Sequence, residues 1–220
     1  MNFIFDPLPN GPTSWQARVM AATTGAARCL AASSPLSGTG EQARRGDVIA
    51  YLSGDDAAKE RAAPVVAAMT RACHDVGPFG SGSKMKFIAN LLVTVHTLAA
   101  AEALLLARRA GLDLDTVLEA VGDGAGTSRM FEIRGPLMVG ESYPASSMPT
   151  ALFGKDIQII TDFAGQLGAP TPLFSLASVF HRAALAQGRG EEDLACLYAV
   201  LGQLAADGRP SDVAGARHDH

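Results

Sequence analysis

The sequence predicts an α-rich α/β chain, in which the last strands of an α/β sheet lead through one long helix into an all-helical domain. Three observations carry this. Between residues 28 and 76, β-rich and helical stretches alternate in the order strand, strand, helix, strand. From Ser83 onward apolar residues recur only at helical spacing. Between the two regions lies Gly77–Asn90, GPFGSGSKMKFIAN, which sets Gly80 and Gly82 just ahead of a long apolar run.

Each element has a local reason. Thr13-Ser14 can cap a helix from Trp15 to about Thr24. Arg28–Ser34 reads as a short strand ended by the turn Pro35–Gly40, and Asp47–Ser53 (DVIAYLS) as a second, stopped at Gly54-Asp55-Asp56. A helix follows over Ala57–Thr70, then a third strand over Cys73–Val76. The helix from about Ser83 to Ala110 is apolar nearly all round in its first half, so it is expected to be buried and central. Gly111 ends it. Shorter helices are expected over Leu114–Gly122, Ser128–Met138, Leu152–Leu167, Leu173–Gln187 and Glu191–Leu204. The resulting division is 1–82, 83–208 and a disordered tail over 209–220.

Bulk properties narrow the function. The chain has 220 residues, 48% hydrophobic and 18% charged, enough for a sizeable core. A formal net charge of −4 and no basic stripe argue against nucleic-acid binding. Three scattered cysteines suit a reducing compartment, and the N-terminus MNFIFDPLPN lacks a signal-peptide pattern, so a cytoplasmic location is expected. The longest uncharged stretch, Phe87–Ala101, is shorter than the ~20 residues of a membrane span. The five histidines show no metal-ligand spacing, and no metal is expected.

Four places offer chemistry. In the glycine turn, Met85 stands where a dinucleotide fingerprint needs its third glycine. Ser83-Lys84 reverses the Lys-Ser/Thr order of a phosphate loop, so both phosphate-binding patterns fail. Lys86 and Asn90 are four residues apart and share a helix face. On spacing alone they are a solvated lysine and a satisfied asparagine. Both lie at or in the most apolar stretch, however, and a polar cavity explains them better. Ser37, in PLSGTG, sits just past a strand end, where an ordinary Ser-Gly turn is the plain alternative. Lys155-Asp156 interrupts the apolar run LFGKDIQII, as an exposed charged pair also would.

Together these segments resemble one family. PLSGTG, GPFGSGSKMKFIAN, AEALLLARRAGLD and GKDIQII occur in the order and at the distances of the β-hydroxyacid dehydrogenases. That group contains 3-hydroxyisobutyrate, tartronate-semialdehyde and threonate dehydrogenases and is related to 6-phosphogluconate dehydrogenase. The resemblance covers roughly residues 12–204. It implies a Rossmann-like sheet remnant over 1–82, and a reaction that moves hydride between NAD or NADP and a small hydroxy acid. By resemblance Lys86 is the catalytic lysine, which exchanges a proton with the substrate hydroxyl. Asn90 holds substrate and lysine in register. Ser37, Gly38 and Thr39 take the substrate carboxylate, and Lys155 and Asp156 lie beside the cofactor. Pairing of the helical domains implies a homodimer.

The sequence also departs from the family. No Gly-x-Gly-x-x-Gly turn occurs, and the serine loop starts at Pro35 instead of after about a hundred residues. The chain thus reads as a member lacking its dinucleotide-binding front half, with weak or absent cofactor binding expected for the chain alone. A non-catalytic helical dimerisation module is the main alternative, and a hydrolase or phosphate-binding protein a lesser one.

Overall fold

The computed structural model describes residues 16–21, 30–38, 40–144 and 149–206. A four-stranded sheet comes first, in the spatial order β1 (Gln16–Ala21), β2 (Leu30–Ser37), β3 (Ile49–Gly54), β4 (Ala72–Asp75). β1–β2 and β2–β3 run antiparallel, and β3–β4 parallel. The parallel step needs a crossover, which α2 (Asp56–Met69) supplies. A five-residue α1 (Gly40–Arg44) links β2 to β3.

Two expectations for this region fail. Residues 16–21 form a strand where a helix was expected, pairing Gln16 with Pro35 through to Ala21 with Leu30. The unpaired edge of β2 decides this, because ladder hydrogen bonds outweigh a weak local preference. β2 itself runs through Pro35 to Ser37, where the sequence indicated a turn, held by the pairs Leu36 with Ala50 and Ser37 with Ile49. The expected tail at 209–220 lies outside the described residues.

The helical part follows as α3 (Ser81–Arg109), α4 (Leu114–Gly122), α5 (Arg129–Val139), α6 (Thr150–Gln166), α7 (Pro172–Ala186), a 3-10 turn at Leu194–Cys196, and α8 (Leu197–Ala206). Asp113 and Ser128 cap α4 and α5 by accepting from Thr116 N–H and Phe131 N–H. α3 is the axis. Its Leu98, Ala101 and Leu104 pack in one core with Phe131 and Met138 of α5, Ala177 and Ala184 of α7, and the Leu197–Val200 stretch. Fully burying each larger side chain contributes roughly 1.5–3 kcal/mol. A second core joins α3 to α6 through Phe87 and Leu91 against Phe153, Ile157 and Ile160.

α3, at 29 residues, is by length and composition long and apolar enough to cross a bilayer, beyond what its uncharged stretch suggested. Here it packs against the sheet and against α5 to α8. Its first half is not buried all round as expected: Met85, Ile88 and Leu92 are 38%, 54% and 45% exposed. Its neighbours cover only one side of the first turns.

A buried ion pair locks the helical part. Arg134 and Asp193 are each 5% exposed. Arg134 Nε donates to Asp193 Oδ1 at 2.8 Å, and its Nη1 donates to Thr97 Oγ1 at 3.0 Å. Asp193 Oδ1 also accepts from Ala195 N–H at 2.9 Å, capping the 3-10 turn. One cluster thereby ties α3, α5 and the entry to α8.

Candidate active site

The glycine turn fixes how α3 meets the sheet. Gly80 caps the helix with φ of 91°, a left-handed conformation that favours glycine. Gly82 serves a different need. A Cβ there would lie 2.5 Å from the Tyr51 carbonyl oxygen and 2.9 Å from Pro35 Cδ. The first turn of α3 is therefore pressed onto β2 and β3, and Lys86 and Asn90 follow at one and two turns. Pro35 and Ser37 share a face of β2 by strand alternation, the face that receives α3. Ser37 ends β2, paired with Ile49 of β3.

The α3–α6 core supplies the third group. Phe87 and Phe163 meet edge to face at 5.3 Å between centroids. Two turns from Phe163 on α6, Asp156 Oδ2 accepts a hydrogen bond from Asn90 Nδ2 at 3.0 Å. Asn90 is buried, so this bond fixes its carboxamide, and Thr94 Oγ1 donates to the Asn90 backbone carbonyl at 2.8 Å. Lys86 interacts electrostatically with Asp156.

The electrostatics push both groups toward neutrality. Burial lowers the Lys86 pKa below its ordinary value, and the Asp156 charge opposes this only in part. Burial raises the Asp156 carboxyl, with Lys86, then Lys155, then the Asn90 hydrogen bond pulling the other way. The result is a lysine and a carboxyl whose charged forms are both disfavoured by burial and whose opposite charges partly restore them.

The remaining residues named from the sequence divide. Gly38 is exposed, with φ of 140° and a Cβ position 2.8 Å from Val48 Cγ1, so only glycine fits there. Thr39 lies outside the described residues. Lys155 is exposed on α6 while its neighbour Asp156 faces Asn90. The structure therefore joins Lys86, Asn90 and Asp156 into one cluster and leaves Lys155 at its rim. Sequence reading set Asp156 beside the cofactor and missed its bond to Asn90. The i, i+4 spacing gave one helix face but not the facing helix.

One further pattern was overlooked. Gly38-Thr39-Gly40-Glu41-Gln42-Ala43 has the Gly-x-Gly-x-x-Ala spacing sometimes found at dinucleotides. The context denies it that role: the helix it opens has five residues, and β3 returns antiparallel to β2.

Comparison with known proteins gives a consistent result. Residues 80–201 match the family model described as NAD-binding of NADP-dependent 3-hydroxyisobutyrate dehydrogenase. L-threonate dehydrogenase of Escherichia coli strain K12 is 36% identical over 178 residues, 80% of this chain and 59% of that protein. The chloroplastic glyoxylate/succinic semialdehyde reductase 2 of Arabidopsis thaliana is 29% identical, over 76% of this chain and 46% of its own length. The crystal structure of 3-hydroxyisobutyrate dehydrogenase from Salmonella typhimurium superposes with a TM-score of 0.71 at 35% identity, covering 77% of this chain and 59% of that one. The chain spans about half to three fifths of these relatives' length. By the family match and the order of its motifs, the chain belongs to the 3-hydroxyisobutyrate dehydrogenase family of β-hydroxyacid dehydrogenases.

Proposed function

We propose that Lys86, Asn90, Asp156 and the end of β2 at Ser37, with Gly38 after it, form the substrate half of a hydroxyacid dehydrogenase site acting on a small hydroxy acid. The observation that carries the reading is the Asn90–Asp156 hydrogen bond beside a lysine whose charge is disfavoured by burial. In the oxidative direction neutral Lys86 takes the proton of the substrate hydroxyl, and in the reductive direction the ammonium returns it. Asn90 holds the substrate oxygen against Lys86. Asp156 moderates the effect of burial on the lysine's proton affinity, and the Ser37 hydroxyl with the Gly38 amide receives the carboxylate.

NAD or NADP supplies the hydride acceptor in such a reaction. The described residues fit it only at the rim. Lys155 offers positive charge next to Asp156, but the parallel strand–turn–helix unit among the described residues, β3–α2–β4, turns through Gly54-Asp55-Asp56, and two carboxylates at that helix start do not suit a pyrophosphate. The chain alone is expected to bind NADH or NADPH far more weakly than a full-length relative. Fluorescence or calorimetric titration checks this, and micromolar binding by the isolated chain would refute it. Lys86→Ala should abolish turnover while leaving the circular dichroism and melting unchanged; an unaltered kcat would remove Lys86 from the mechanism.

The exposed apolar stripe of Met85, Ile88 and Leu92 supports a homodimer through α3. The same stripe favours the alternative of a non-catalytic pairing module. Binding of hydroxy acids separates the two: a pairing module binds none.

A further inference from the structure

The far end of α3 holds a second polar basin, about 33 Å from Lys86 along the helix axis at ~1.5 Å per residue. It has a volume of about 420 Å³, and its lining includes Arg108, Arg109, Arg189, Glu141, Tyr143 and Tyr198. Three arginines from two separate parts of the chain thus line it with Glu141 among them, while Glu192 pairs with Arg189 beside it. The plain reading is that Arg108 and Arg109 merely complement the C-terminal end of α3. That reading does not account for Arg189, which follows α7, nor for Tyr143.

The donors there are only partly used. Arg108 Nη1 bonds the Glu141 carboxylate and approaches the Tyr198 hydroxyl at 3.4 Å. Arg109 Nη2 donates to the Ala205 carbonyl at 2.9 Å. Arg189 donates from Nη1 to Glu192 at 2.8 Å and from Nε to Gln187 at 3.3 Å. Each guanidinium carries five N–H groups, so each keeps several for a ligand. Tyr143 Oη is buried and has no hydrogen-bond partner among the described residues. An orphaned buried hydroxyl is costly and points to a missing partner. Burial and the Glu141 charge push this phenol up to about 12, so it remains a neutral donor. Glu141, which anchors Arg108, is the one non-glycine described residue with positive φ, at 47°. The end of α5 imposes it: Glu141 N–H donates to the Met138 carbonyl and Ser142 N–H to the Leu137 carbonyl, a helix cap that fixes where Glu141 meets Arg108.

We propose that this basin binds a small organic or inorganic anion carrying at least two negative charges, at a site separate from the Lys86 cluster. The chain's net charge of −4 makes the site a local device and not a bulk attraction. Forked arginine donors suit carboxylates and phosphates alike, and Tyr143 donates to an oxygen of either. Citrate and inorganic pyrophosphate, titrated calorimetrically into the full chain at about 0.15 M salt, distinguish the two sources. Saturable binding of either is expected, weakened about tenfold or more by Arg189→Gln and by Arg109→Gln. Tyr143→Phe should weaken it severalfold while melting no lower than the native chain, since it removes an unpartnered buried hydroxyl, so the outcome does not depend on one variant folding. No saturable binding of either probe would overturn the proposal. So would binding that all three variants leave intact, or that vanishes with added salt as simple screening.

Discussion

Lys86 and Asp156 shape each other's proton affinity. Burial lowers the lysine, and Asp156 raises it in opposition. Replacing Asp156 with Asn removes the negative charge and should move the Lys86 titration to still lower pH. NMR titration of the labelled Lys86 side chain reads this without turnover; an upward or absent shift would dissociate the pair. In an active preparation the oxidative rate should rise with pH through the same titration, because that direction requires neutral lysine. His181 gives a second pH effect. It is 2% exposed, with its Nε2 2.7 Å from the Thr150 carbonyl, and burial lowers its pKa below 6.5. The unfolded chain then binds the proton more readily than the folded one. Its stability contribution is intact above about pH 6.5 and declines as pH falls below that value. Melting at pH 7.5 and 5.5 should show a drop in the native chain that His181→Gln reduces.

At the scale of elements, the start of α3 depends on close approach. Gly82→Ala would set a methyl 2.5 Å from a backbone oxygen, which cannot rotate away as a side chain can. Overpacking of this kind costs roughly 1–3 kcal/mol and shifts the helix that carries Lys86. Urea unfolding with hydroxy-acid binding should show both losses, whereas Gly165→Ala, which meets no atom, should show neither. The Arg134–Asp193 pair is a second lock. Removing one partner strands a buried charge, at about 3–5 kcal/mol. Arg134→Met should therefore destabilise strongly, and Arg134→Met with Asp193→Asn should recover part of the loss. Equal losses would show that packing, not charge, sets the cost.

At the scale of the molecule, α3 joins the sheet, the Lys86 cluster and the helical core, and still leaves one stripe uncovered. In the proposed homodimer this stripe is the seam. Sedimentation at tens of micromolar should show a dimer that Ile88→Asp converts to monomer. A monomeric native chain would rule out this seam. Most of the helical part was legible because its periodicity is local: α4 spans the expected Leu114–Gly122, and α5 to α7 differ from expectation by one or two residues at each end. Gln16–Ala21 was not legible, since only the edge of β2 makes it a strand. Nor was the exposure of Met85, Ile88 and Leu92, because an apolar sequence cannot say which of its sides a neighbour covers.

The sequence by itself determined the residue types and the one-turn spacing of Lys86 and Asn90, the glycines ahead of them, and membership of the family. Those are properties of short segments, where helix geometry and turn chemistry act within a few residues. Only the tertiary structure decided that Asp156 faces Asn90 and that Lys155 stays exposed on α6. It also decided that Arg108 and Arg109 meet Arg189 across a basin. Such contacts join residues far apart in the chain, and the packing of helices against one another sets them.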